Sequence, residues 1–207
     1  MFTGKMATSG TLGIKLIRGS TDAPLAWKLR NVARWSFIKG FLFWHLAHLF
    51  SRVTEIPTIV SSLSVRVRKA DGRWVDYGTV CYRVVTDAGV AFLVDDMDNN
   101  VTDVTTLNYH GVGTGVTAEA AAQTALVTES TTVRNPDSTR ATGTKSQPSA
   151  NVLRSVGTVT FDGSAAITEH GLFSQSATGG GTMWDRSVFA AVNVAAADSI
   201  NLCGFAA

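Results

Sequence analysis

The chain has 207 residues, 45% hydrophobic and 16% charged, which is enough apolar material for one domain with a real core and excludes a disordered chain. Charged residues usually make up ~25% of a soluble domain, so this surface is dominated by Thr, Ser, Ala and Gly, as suits a subunit packed against others. The net charge of +2 hides an asymmetry: residues 1–56 carry eight Lys/Arg against two acids, a net +6, and the remainder ten against fourteen, a net −4. The two parts are expected to face different partners, or each other.

Residues 1–21 are rich in Gly, Ser and Thr and lack the apolar run of a secretory signal; they read as a flexible or extended tail. Asp22-Ala-Pro24 then offers an N-cap followed by proline, a helix start. Up to Val53 only Gly40 interrupts the helix formers, and Pro57 closes the region, so residues 22–57 are predicted as a basic, apolar helical arm. Its second half, Phe37–Phe50, is apolar nearly all round, as in helices buried in a core or an interface. Trp35–Phe50 falls short of the ~20 residues a bilayer core needs and contains Lys39, His45 and His48, so a membrane span is disfavoured.

From Ile59 the pattern changes to period two. Ser62–Lys69 alternates apolar and polar residues, Asp71-Gly72 supplies a hairpin turn, and Trp74–Val85 resumes as strand. Asp87–Met97 fits either a buried strand or a short helix, with the helix, capped by Thr86, slightly favoured; Ala118–Ala125 reads as a turn of helix or a loop. Strands are then expected within Ala125–Val133, Thr139–Lys145, Asn151–Phe161, Ala165–Gln175 and Met183–Val194. Asn135-Pro-Asp137, Gln147-Pro148, Asp162-Gly163 and Gly179-Gly-Gly181 punctuate them as turns. Residues 58–207 are therefore predicted as an antiparallel β-sandwich or jelly-roll-like domain behind the arm.

The candidate chemistry is thin. His110-Gly-Val-Gly-Thr-Gly115 has alternating glycines but no Lys-Ser/Thr and no dinucleotide spacing, so close backbone approach explains it better than phosphate binding. His110, His170 and Glu169, and the acidic run Asp95, Asp96, Asp98, show no metal-ligand spacing. His110 and His170 are expected on strands or turns without a shared cleft. His45 and His48, three apart on a helix, are expected to be packed or interfacial. No Gly-x-Ser-x-Gly elbow exists, so no hydrolase triad is assigned. Cys81 and Cys203 form no CxxC, and Cys81 sits in an apolar strand as a small buried hydrophobe. Trp27, Trp35 and Trp44 among basic residues could stack on bases, but docking on an acidic protein surface explains the same pattern better. No catalytic, cofactor or metal residues are assigned.

Five segments carry a resemblance. Tyr109–Gly115, Ala125-Leu-Val-Thr-Glu129 and Asn135–Gly143, followed by Ile167–Gln175 and Thr178–Phe189, resemble virion proteins of tailed bacteriophages over about residues 60–200. The resemblance implies a particle component without catalytic residues. The expected role is a capsid cement or decoration protein located in the virion. A tail, baseplate or fibre component is the runner-up, and a host-glycan-binding module the third reading. The expected partners are the major capsid protein or tail components and further copies of the chain, with a trimer as one option. In the proteins it resembles the last strand runs past Asp198-Ser-Ile200, where only Asn201–Ala207 follow here, so a shortened closing strand is expected. Trp35, Phe37, Ile38, Phe41, Leu42, Phe43, Leu46, Leu49 and Phe50 are the expected interface. Each large side chain gains roughly 1.5–3 kcal/mol on burial, so several left in water would exceed a domain's stability margin.

Overall fold

The computed structural model describes residues 20–54, 59–98 and 103–206, so the expected tail over residues 1–19 lies outside the described residues. The chain is mainly β with N-terminal helices. In order it runs β1 (Ser20–Asp22), α1 (Leu25–Val32), α2 (Trp35–Thr54), β2 (Ser61–Arg68), β3 (Trp74–Val85), α3 (Asp87–Met97), a 3-10 turn (Val104–Thr106) and β4 (Tyr109–Gly113). Then come β5 (Arg134–Asn135), β6 (Ala141–Thr142), β7 (Thr144–Ser149), β8 (Val152–Phe161), β9 (Ala165–Phe173), β10 (Met183–Val194) and β11 (Ser199–Ala206).

The strands join in the order β5-β8-β11-β2-β3-β10-β9-β4-β6, with β7 added on β8 and β1 on β3. Every pair is antiparallel except β1 with β3. The sheet curls on itself so that both halves face one core. Leu63, Val65 and Val67 of β2, Val159 and Phe161 of β8 and Ile200 and Leu202 of β11 meet Val112, Ile167, Phe189 and Val192 from the other half. β3 is the corner strand. Its early part pairs with β2, while Val84 and Val85 pair with β10. Register shifts opposite Leu63–Ser64 and Val65–Arg66 are bulges that bend it from one layer into the other.

Local signals carried much of this. β2, the Asp71-Gly72 turn, β3 and β8–β10 fall where alternation placed them, and α3 starts at Thr86, whose hydroxyl accepts from Gly89 N at 2.9 Å. Other expectations are corrected. The arm is two helices rather than one, because Asn31 at the end of α1 is pulled into the sheet: it donates to Val80 O at 2.8 Å and accepts from Ala190 N at 2.9 Å. Asp22 is not the N-cap; it lies in β1 and pairs with Lys28 at 3.0 Å, while Pro24 precedes the helix. Ala125–Val133 is not a strand, since the Val127 and Thr128 amides donate to the Glu169 carboxylate instead of to a neighbouring strand. Thr139–Lys145 splits at Gly143, where the chain crosses from β6 on β4 to β7 on β8. Gln147-Pro148 is not a turn but lies in β7, at a register shift where a strand tolerates proline. The closing strand is not short of partners: all eight residues of β11 pair with β2 on one side and β8 on the other.

Candidate functional site

The arm begins as part of the β body. Trp27 of α1 donates from its indole to Ala191 O at 2.8 Å, packs edge-on against Tyr77 and touches the main core. α2 then lies along β3. Gly40 marks the closest approach, since a Cβ there would meet Tyr82 Cβ and O at 2.9 Å. Phe37, Phe41 and Trp44 gather their rings around Tyr82, and Ala47 is buried. His48, half-buried, stacks edge-on against Trp44, and so does His45, which also meets Phe41 but is exposed.

Among the described residues nothing covers the opposite face of α2. Trp35 and Phe43 are each 67% exposed, and Leu42, Leu46, Leu49, Phe50 and Val53 are also exposed. Of the expected interface residues, Phe37 and Ile38 are half-buried, and Phe41 is exposed at its rim while its ring rests on Tyr82. The others project from the body. Between α2 and β3 lies a cavity of about 710 Å³ whose wall includes Trp35, Phe43, Trp44 and Tyr82, with Arg34 and Lys39 among the lining residues. Among the described residues no helix is long and apolar enough to cross a membrane.

A second feature lies inside the sandwich. His110 on β4 and His170 on β9 are fully buried, and His110 Nδ1 is 3.0 Å from His170 Nε2. Both stand on strands, as expected, and these adjacent antiparallel strands bring the two rings together on one inner face. Arg83 of β3 completes this face, ion-paired with Asp185 of β10 and 3.2 Å from His170 Nδ1. From the facing layer Ser61 Oγ donates to Asp185 at 3.1 Å, and Ser155 Oγ lies 2.8 Å from His110 Nε2. The chain Asp185–Arg83–His170–His110–Ser155 thus ties the two layers together at the polar end of the core.

Donor and acceptor chemistry sets its direction. A guanidinium only donates, so His170 Nδ1 accepts from Arg83 and His170 Nε2–H donates to His110 Nδ1. His110 Nε2–H then donates to Ser155 Oγ, whose hydroxyl donates to Asn108 Oδ1 at 3.3 Å. Both imidazoles are neutral in this arrangement. Burial, reinforced by the Arg83 charge, pushes His110 down to about 3. Burial, Arg83 and His110 hold His170 well below the usual histidine range. Burial pushes the Asp185 carboxyl up to about 6 against the pull of Arg83. The ring nitrogen facing Ser155 carries a proton, so it cannot take one from the serine, and the pair lacks the base that a serine nucleophile needs. The network borders a cavity of about 400 Å³ walled by Leu93, Val104, Leu107, Leu172 and Trp184.

The outer face of the same strands holds a second buried pair, Glu169 with Arg186 at 2.6 Å. The Glu169 carboxylate also accepts from the Gly115, Val127 and Thr128 amides at 2.7–3.1 Å, and Arg186 donates to Thr117 O and Gln123 Oε1. The alternating glycines serve this contact. A Cβ on Gly115 would lie 2.5 Å from the Glu169 carboxylate, and one on Gly113 would lie 2.2 Å from Thr128 O. Arg140 forms a third pair, bidentate with Glu129 over the ring of Phe173. Asp96, from the acidic run, accepts from Val104 N at 3.0 Å and so ties α3 to the 3-10 turn, which Asp103 caps. Among the described residues no group of three His, Cys, Asp or Glu could hold a metal. Cys81 is buried, and that burial raises its thiol pKa, with Glu119 adding to the effect.

The arginine–carboxylate pairs were missed in the sequence. The available signal was two adjacent ionisable residues inside apolar strands: Glu169-His170 in β9 and Asp185-Arg186 in β10. Neighbours on a strand point to opposite faces, so such dipeptides announce a strand covered on both sides. Comparison with known proteins finds no matching family model, no matching curated protein and no matching solved structure. The site is therefore interpreted from its own geometry.

Proposed function

We propose that this chain is a structural subunit of a tailed-phage particle, a capsid cement or decoration protein that joins its neighbours through α2 and carries out no catalysis. The observation that carries the reading is the uncovered apolar face of α2, held on a body whose buried charges are spent on its own architecture. A helix that buries one face on its domain and leaves large side chains in water on the other has the form of a subunit contact. The net +6 of residues 1–56 favours acidic neighbours among virion proteins, including copies of this chain with its net −4 remainder. The tautomer order of the His110–His170 network supports a structural role for the only Ser–His contact in that network.

Quantitative mass spectrometry of purified particles tests the location. A copy number in the hundreds, comparable to the major capsid protein, is the expected result. A few to dozens of copies would move the chain to the tail or baseplate, and absence from particles would refute the reading.

A further inference from the structure

α2 carries a second pattern on its uncovered side. At 100° per residue, Phe37, Gly40, Phe41, Trp44 and Ala47 point towards β3. Trp35, Lys39, Leu42, Leu46, Leu49 and Val53 lie within about 40° of the opposite direction, and all six are exposed. Their spacing is 4-3-4-3-4, the alternation of a coiled-coil seam. Phe43 and Phe50 flank it and are exposed too. The seam reads the same from either end, with its midpoint at position 44.

We propose that α2 pairs antiparallel with α2 of a second copy of this chain, about a two-fold axis level with residue 44; the proposal rests on α2 being an interface. In that arrangement Trp35 lies opposite Val53 of the other copy, Lys39 opposite Leu49 and Leu42 opposite Leu46, so each seam position meets a seam position. Such a self-complementary patch is what a two-fold contact requires. The charges select the direction. Lys39, the one charged residue on the seam, sits over the Trp35 ring at 5.9 Å. Antiparallel pairing holds the two copies of Lys39 about 15 Å apart along the axis, whereas parallel pairing sets them face to face. It also brings Arg34 beside the C-terminal, negative end of the partner helix. At roughly 150–250 Å² for a large side chain, the exposed fractions leave on the order of 800 Å² of this stripe uncovered per chain, matching the about 800 Å² per partner of a standard interface.

Sedimentation of the full chain at micromolar concentration should give a dimer. Leu46→Glu, which sets a carboxylate near the axis, should weaken it at least tenfold while leaving the unfolding midpoint of the monomer unchanged. Orientation is read by cysteine crosslinking in a Cys203→Ser background: Trp35→Cys mixed with Val53→Cys should give the mixed disulfide. Crosslinks formed only between like variants, 35 with 35 and 53 with 53, would overturn the pairing in favour of a parallel bundle. A monomeric wild-type chain would also overturn it. If Leu46→Glu then still blocked incorporation into particles, the interface reading would stand without the pairing; incorporation unaffected in that variant would remove both.

Discussion

Arg83 and Asp185 sit side by side in the core with almost no solvent, and each is tolerable there because of the other. Removing one partner of such a pair leaves an uncompensated buried charge, at a cost of about 3–5 kcal/mol. Arg83→Met should therefore lower stability by that amount in urea titration, and Arg83→Met combined with Asp185→Leu should recover most of it. The histidines add a pH dependence of definite sign. Below the ordinary histidine value of 6.5 the unfolded chain takes up protons on His110 and His170 that the folded chain refuses, so acid favours unfolding. Asp185 acts the other way, because its folded carboxyl binds a proton from about pH 6 and the unfolded one only near 3.8. Two histidines against one carboxyl leave a net loss of stability as pH falls below about 6. Urea midpoints at pH 7, 6 and 5 should fall in that order, and a rise on acidification would contradict the neutral histidine pair.

At the scale of the element, α2 separates two roles that its composition merges. Phe43→Ser removes an outward side chain, so the unfolding free energy should change by no more than about 0.5 kcal/mol while association weakens. Phe41→Ser is different, because its ring lies on Tyr82, and it should destabilise the helix's own docking as well. Gly40→Ala drives a methyl into Tyr82 and should cost about 1–3 kcal/mol as an overpacked contact, accompanied by a shift in the tryptophan fluorescence to which Trp44 contributes. The helix as such was legible in the residues: Phe37–Phe50 has the length and helix-forming composition. Its division at Ala33-Arg34 was not, because the break follows from Asn31 reaching Val80 and Ala190, 49 and 159 positions away.

For the whole molecule, the two layers are joined by hydrophobic contact at one end and by the Asp185–Arg83–His170–His110–Ser155 chain at the other. Amide exchange should accordingly be slowest in β2 and β11, which bury core residues and are paired on both sides along most of their length. α2 should exchange faster in dilute solution and slow as the protein is concentrated, because its outward face is covered only on association. Exchange in α2 that ignores concentration would place the helix's stability wholly in its contact with β3.

The sequence by itself determined the elements whose physics is local. Ser62–Lys69 alternates because one side of β2 faces the core, Asp71-Gly72 turns the hairpin, and Thr86 caps α3 within three residues of its own position. The density of apolar residues over Phe37–Phe50 likewise pointed to a helix ahead of the β body. Tertiary structure alone decided which polar groups are buried together. Glu169-His170 and Asp185-Arg186 announce opposite faces, but His110 stands 60 positions from His170 and Arg83 stands 87 from it, and only the curl of the sheet makes them neighbours. It also decided which face of α2 meets the protein, since a helix apolar all round carries no preference until Gly40 settles on Tyr82 and leaves the opposite seam outside.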